Sequence, residues 1–309
     1  MKFKVLAGLV ATAASLMASQ AQAGAVGIAN MHVTGLGFAA PGAPTLTISG
    51  ESRTGNATAS YNGVVAGGAG PNAITANGAV DVDVKNRCAG ACDGSLYNGT
   101  NGGLENATNH ISVPGGANYA LGDMFISGTA LGGSISGLTR ADAVVTGPTN
   151  FGGANSTIGN SGRITGSFTV GTTFTSALFV NVDAFIQAWV DPLTPAGDDV
   201  NAFAGYGWNM SILGSDGSVL EFAPADMNKS YSASDSLFNA ATQFSTNGTK
   251  TYLSDAFTFK AGVAYQFAIN QSSNATAYDK SPLPEPASLA LLGVAALGAG
   301  FASRRRKAA

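Results

Sequence analysis

Residues 178–190 read LFVNVDAFIQAWV, and they alternate over their whole length. Leu178, Val180, Val182, Ala184, Ile186, Ala188 and Val190 share one side of an extended chain. Phe179, Asn181, Asp183, Phe185, Gln187 and Trp189 share the other. A period of two held this long specifies a β-strand whose apolar face lies on a core. The pattern continues outward. In YGWNMSILGSDGSVL, Tyr206, Trp208, Met210 and Ile212 alternate, and Ser215-Asp216-Gly217 supplies a hairpin turn. In FTFKAGVAYQFAI, Phe257 and Phe259 meet Tyr265, Phe267 and Ile269 across a turn at Lys260–Val263.

Helical periodicity is scarce, and Gly, Asn, Asp or Pro breaks recur every 8–15 residues. The chain between the two ends therefore reads as all-β. The predicted strands are Ala25–Phe38, Thr45–Ser52, Ala57–Val65, Ile74–Val84, Met124–Leu131, Arg163–Val170, Ser176–Val190, Phe203–Leu213, Val219–Phe222, Tyr252–Phe259 and Ala264–Asn270. Arg87–Gly116, Gly147–Gly162 and Asp191–Asn201 read as loops, and Ser234–Ala241 as a short helix. Many short strands so spaced predict a β-sandwich or jelly roll. The Gly and Asn content offers a β-solenoid as the alternative, but no short period recurs.

The two ends differ from this body. Lys2 and Lys4 precede an apolar run, Val5 to Met17, and Ala21-Gln22-Ala23 then places small residues where a signal peptidase would cut, before Gly24. Residues 1–23 are thus expected to be a signal peptide, 24–280 the mature domain and 281–309 a separate tail. Within the tail, Ala287–Ala302 is 16 residues without a charge. As a helix it reaches roughly 24 Å, a marginal span of the membrane. Leu289, Leu291, Leu292, Val294, Leu297 and Phe301 supply most of its membrane affinity, and Arg304, Arg305, Arg306 and Lys307 follow as a cytoplasmic stop. Pro284 and Pro286 bracket Glu285 just before the span and hold the chain extended there.

Pro284-Glu285-Pro286, an Ala/Leu/Gly helix and a terminal Arg cluster, in that order, resemble a PEP-CTERM sorting signal, with Leu283 where Val is frequent. The resemblance covers about 25 of the 309 residues. It implies an exported protein of a Gram-negative bacterium, held briefly in the inner membrane and cut near the motif by an exosortase. The freed body is then expected at the cell surface or in the extracellular matrix. It implies nothing about what the mature domain binds.

Charged residues make up 11% of the chain, against about 25% in ordinary domains. Between the ends, nine Lys/Arg stand against 17 Asp/Glu, a net charge of −8. This leaves no basic face for nucleic acid. The two cysteines, Cys88 and Cys92 in RCAGACD, fit a local disulfide in an oxidising compartment. The alternatives are a redox pair, which favours CxxC, and a zinc site, which needs four ligands.

No nucleophile elbow, zinc-protease helix, phosphate loop or dinucleotide fingerprint occurs, so no cofactor and no enzymatic activity are expected. His32 reads as a strand polar residue and His110 lies in a predicted loop. Asp81 with Asp83, and Asp198 with Asp199, offer oxygens to Ca²⁺ without an EF-hand loop, and read as solvated acids. The Asn-x-Ser/Thr sites at Asn56, Asn98, Asn106, Asn155, Asn247 and Asn274 are no more than this Asn-rich composition produces. One candidate binding surface stands out. Phe179, Asn181, Asp183, Phe185, Gln187 and Trp189 alternate rings and amides, as a polysaccharide-binding face would. The competing reading is a strand buried on both sides. The expected function is a non-enzymatic surface or matrix protein, and the alternative is a carbohydrate-binding module retained in exopolysaccharide.

Overall fold

The computed structural model describes residues 24–40, 46–66, 71–91, 118–147, 150–158, 164–191, 199–234 and 242–280. Among them all regular structure is β-strand, apart from a three-residue 3-10 turn at Ala225–Met227. In chain order the strands are β1 Gly24–Phe38, β2 Thr47–Tyr61, β3 Val64–Val65, β4 Ala73–Asn77, β5 Val82–Gly90, β6 Tyr119–Ser127, β7 Ser136–Thr146, β8 Asn150–Ile158 and β9 Ile164–Thr169. They continue as β10 Phe174–Ser176, β11 Leu178–Val190, β12 Val200–Gly214, β13 Val219–Phe222, β14 Asn228–Ser234, β15 Thr242–Ser245, β16 Lys250–Leu253, β17 Phe257–Phe259 and β18 Ala264–Asp279.

Two antiparallel sheets hold nearly all of these strands. Sheet A runs β15-β11-β1-β7-β6-β5, with β16 also pairing β11. Sheet B runs β13-β12-β18-β8-β2-β3, with β14, β4 and β9 attached. The sheets lie face to face with strands roughly superposed. β11 packs over β12 and β14, β1 over β12 and β18, β7 over β18 and β8, and β6 over β8 and β2. The alternation of β11 explains why: Leu178, Val180, Val182, Ala184 and Ile186 all point into the space between the sheets.

That space is filled in two ways. At one end the buried cluster is almost entirely alanine, with Ala25 (β1), Ala143 (β7), Ala188 (β11), Ala202 (β12) and Ala277 (β18) among its members. Backbones nearly touch there. A methyl on Gly27 of β1 would fall 2.3 Å from the Phe203 carbonyl oxygen of β12, and one on Gly122 of β6 would fall 2.6 Å from that of Thr58 on β2. At the other end the cluster is bulky, with Trp208, Met210, Met31, Phe168 and Tyr265. A β10–β17 pair closes that end, stacking Phe174 on Phe259 at 5.2 Å, with Phe38 edge-on to both. Polar bridges tie the sheets in between. Gln271 Nε2 of β18 donates to the Met31 and Gly137 carbonyls of sheet A, and Thr139 and Ser273 hydroxyls lie 2.9 Å apart. Arg53 of β2 is fully buried, donates to Glu51 at 2.7 Å, and reaches the Val80 and Gly128 carbonyls.

Several elements depart from the sequence reading. Ile74–Val84 is two strands in different sheets, β4 and β5, because the chain turns at Gly78, whose φ is +87°. Thr45–Ser52 and Ala57–Val65 belong mostly to one long strand, β2, bent by an irregular register between Ser49 and Ser52. Tyr252–Phe259 is split between β16 and β17. Gly147–Gly162, expected to be a loop, contains β8, a central strand of sheet B between β18 and β2. The expected loop from Arg87 starts later, since β5 runs to Gly90. No strand was expected at β7, the centre of sheet A. The Asp191–Asn201 loop keeps only its flanks among the described residues, and β12 already begins at Val200. The helix expected at Ser234–Ala241 falls at 235–241 outside the described residues, and Ser234 itself ends β14.

Candidate functional site

The outer side of sheet A carries the candidate glycan face. Its register sets Trp189 beside Val26, then Val144 and Tyr119. The next row sets Gln187 beside Ile28, Asp142, Leu121 and Cys88. Val26, Ile28, Val144, Leu121, Tyr119 and Cys88 form a buried apolar cluster on this side, and Phe185 and Trp189 pack against it. Beside the cluster, Arg140 Nε donates to Asp142 Oδ2 at 3.0 Å, and both side chains are buried. Burial alone would lower the Arg140 pKa, but the Asp142 charge and hydrogen bond outweigh it and raise the pKa above its ordinary value.

Of the six residues on the β11 face, Gln187 is buried and the other five are half-buried. Gln187 Oε1 is buried without a hydrogen-bond partner among the described residues, whereas Asn181 and Asp183 are engaged by β16 and by the residue that follows β15. The Thr251 hydroxyl donates to Asn181 Oδ1 at 2.7 Å, and the Thr246 hydroxyl to Asp183 Oδ1 at 3.1 Å. Phe179, at the bulky end, lines a cleft of about 420 Å³ with Gly37, Phe38 and Leu131.

The other singled-out residues are placed apart from one another. His32 Nε2 lies 2.9 Å from the Ser136 hydroxyl, and partial burial lowers its pKa while Asp183 opposes the shift. Asp83 accepts from Lys85 at 2.6 Å. Asp199 accepts from Asn201 and from the Tyr278 hydroxyl. Among the described residues no group of three or more His, Cys, Asp or Glu side chains is arranged to hold a metal ion. Cys88 sits buried on β5, and no described cysteine is free. Cys92, His110, Asp198, the signal residues Ala21 and Ala23, and the tail with Pro284, Glu285, Pro286, Arg304, Arg305, Arg306 and Lys307 lie outside the described residues. No described helix is long and apolar enough to cross a membrane.

The topology places the two chain exits together. β1 begins at Gly24, paired with Thr146, and β18 ends at Asp279, paired with Val200 and Asn150. Ala25 and Ala277 meet in the same alanine cluster, so Gly24 and Lys280 leave the stack from one end. β1 and β18 are both interior strands, flanked on each side by a partner. Gly24 and Lys280 therefore stand at the ends of interior strands.

Sequence reasoning missed the outer side of sheet B, because part of it stands on β8, which the sequence presents as a loop. The segment NFGGANSTI alternates, with Gly152, Ala154, Ser156 and Ile158 inward and Phe151, Gly153, Asn155 and Thr157 outward. That period of two was the available signal, and Gly-Gly and Asn obscured it as turn residues.

The profile of the PEP-CTERM protein-sorting motif matches residues 282–307. The chain thus carries a C-terminal sorting signal of the kind that exosortases process, which marks it as an exported, sorted protein. No curated protein and no solved structure matches the chain.

Proposed function

We propose that this chain is a non-enzymatic surface or matrix protein, tethered in the inner membrane by residues 287–302 and released by an exosortase cut near Pro284–Pro286. The motif at 282–307 carries this reading. The shared exit end supports it, because a body held at one end leaves both sheets and the bulky end clear of the membrane. β18 stays paired with β12 and β8 up to Asp279, so only a few residues of sequence separate the folded body from the motif that an enzyme at the membrane surface would read. The stacked sheets read as a β-sandwich, with Cys88 and Cys92 joined as a local staple. A loop so short adds only about 2 kcal/mol in the chain-entropy account, so the bridge is secondary to the core.

Mass spectrometry of the protein from cells with and without exosortase tests this. With the enzyme, the expected product begins at Gly24, ends near Pro284–Pro286 and is lighter by two hydrogens for the disulfide. Without it, the Arg304–Lys307 tail stays on membrane-bound protein. Shed protein that keeps this tail would overturn the reading.

A further inference from the structure

The outer side of sheet B is made of amides, hydroxyls, glycines and a few rings. Across β12, β18 and β8 the register sets Asn201 beside Tyr278 and Phe151, Phe203 beside Thr276 and Gly153, and Gly205 beside Asn274 and Asn155. No residue on this side of these three strands is charged. Among the described residues charge appears at the margins, where Lys280 pairs with Asp199 at 3.6 Å and lies 5.0 Å above the Tyr278 ring, and where exposed Glu221 of the edge strand β13 stands beside Ser211. Two rings lean along their own strands over the glycine two residues on. A methyl on Gly205 would meet the Phe203 ring at 3.3 Å, and one on Gly153 would meet the Phe151 ring at 3.7 Å. The glycines thus make room for the rings, and Phe151 remains 45% exposed. Asn274 and Asn155, directly paired, are exposed beside them.

We propose that this face binds an uncharged polysaccharide, with Phe151 and Phe203 as stacking rings and Asn155 and Asn274 as partners for its hydroxyls. A sugar presents an apolar C–H face framed by groups that both donate and accept. A ring beside an amide, which carries two donors and one acceptor, matches that chemistry. The charge match selects the partner further. An anionic chain would need cations, and this face has none between its rims. A protein partner would call for large apolar anchors in a dry centre, where this face has Gly205, Asn274 and Asn155. Phe203 and Phe151 stand two strands apart, roughly 10 Å across the sheet, with Thr276 and Tyr278 of β18 on the same face between them. That spacing suits a chain lying across the strands rather than a single sugar held in a pocket.

The proposal goes beyond sorting and does not depend on it. Native gels containing dextran, laminarin, hydroxyethylcellulose, galactomannan or, as the charged control, alginate would be run with the full chain in mild detergent. Retardation is expected in at least one neutral gel and not in alginate. Phe151→Ala and Phe203→Ala should each weaken it about two- to tenfold, the range for loss of one aromatic contact. Val80→Ala, an exposed side chain between β4 and β5 and away from this face, should leave retardation unchanged. Absence of retardation in every neutral gel would overturn the proposal, as would equal retardation of the Phe151→Ala/Phe203→Ala double variant. A concentration-dependent rise in mass by light scattering, lost in that double variant, would also overturn it by identifying a second copy as the occupant. Exosortase cleavage is read separately, so failure of either proposal leaves the other standing.

Discussion

At one end of the stack, a single methyl on Gly27 would fall 2.3 Å from a carbonyl oxygen of the facing sheet. At the other end, the Trp208 indole is 1% exposed and meets Phe222 edge-on at 5.3 Å. The same two sheets are therefore held close by the near absence of side chains at one end and apart by large ones at the other. The difference assigns separate work to the two ends. The alanine end holds the chain exits, and its backbones pack so closely that little can be added. The bulky end carries most of the buried apolar area and hence most of the hydrophobic stabilisation. Substitutions should reveal this as opposite sensitivities: the bulky end to removal, the alanine end to addition.

The largest effect should come from Trp208→Ala. The indole lies inside a cluster with Tyr206, Met210 and Phe222, so its removal loses transfer free energy and leaves a cavity. A loss of about 3–5 kcal/mol is expected from urea unfolding. A loss under about 1 kcal/mol would mean that the bulky end collapses freely, and the contrast between the ends would fail.

Gly27→Ala comes next. The added methyl meets the Phe203 and Thr276 carbonyl oxygens, both on interior strands that cannot move without carrying sheet B with them. A cost of about 1–3 kcal/mol is expected, as for other overpacked cores. Ala143→Gly on β7, which removes a methyl from the same end, should cost only about 0.5–1 kcal/mol, mostly through backbone entropy. If removal costs more than addition, the close approach of the sheets is not what organises this end.

The same contrast explains how much of the fold was legible. β11, β12 and the first half of β18 were read from sequence because apolar, mostly large, inward residues recur there at every second position, separated largely by amides, acids, small residues or single rings, which keeps the period of two visible. β7 carries Leu138, Arg140, Asp142 and Val144 outward and Gly137, Thr139, Ala141, Ala143 and Val145 inward, and both faces are buried. Hydropathy has little contrast there, and a buried Arg140–Asp142 pair reads as surface. β8 vanished for a related reason, since its inward residues Gly152, Ala154 and Ser156 are small enough to serve at the alanine end and look like a turn. The sorting motif was legible from order and spacing alone. The amide face of sheet B was not, because it exists only when the register brings β8, β12 and β18 side by side.

The smallest effect should come from a clasp at the bulky end. Asp226, in the 3-10 turn leading into β14 of sheet B, accepts from Lys250 Nζ at 2.8 Å and the Tyr252 hydroxyl at 3.2 Å, both on β16 of sheet A. Lys229 completes the group at 3.1 Å. The hydrogen bond from Lys250, then that from Lys229, hold the Asp226 pKa at about 2, below the ordinary 3.8. Because the folded-state pKa is depressed, the contribution is full above about pH 4 and is lost as pH falls toward 2. The side chain is one-third exposed, so solvent screens much of the interaction. Asp226→Asn should therefore cost less than about 1 kcal/mol at pH 7, with the gap to the parent shrinking in high salt and vanishing below pH 2. A gap that persists unchanged at pH 2 would show that the carboxylate's charge plays no part in joining the sheets, and that side-chain packing alone closes this edge.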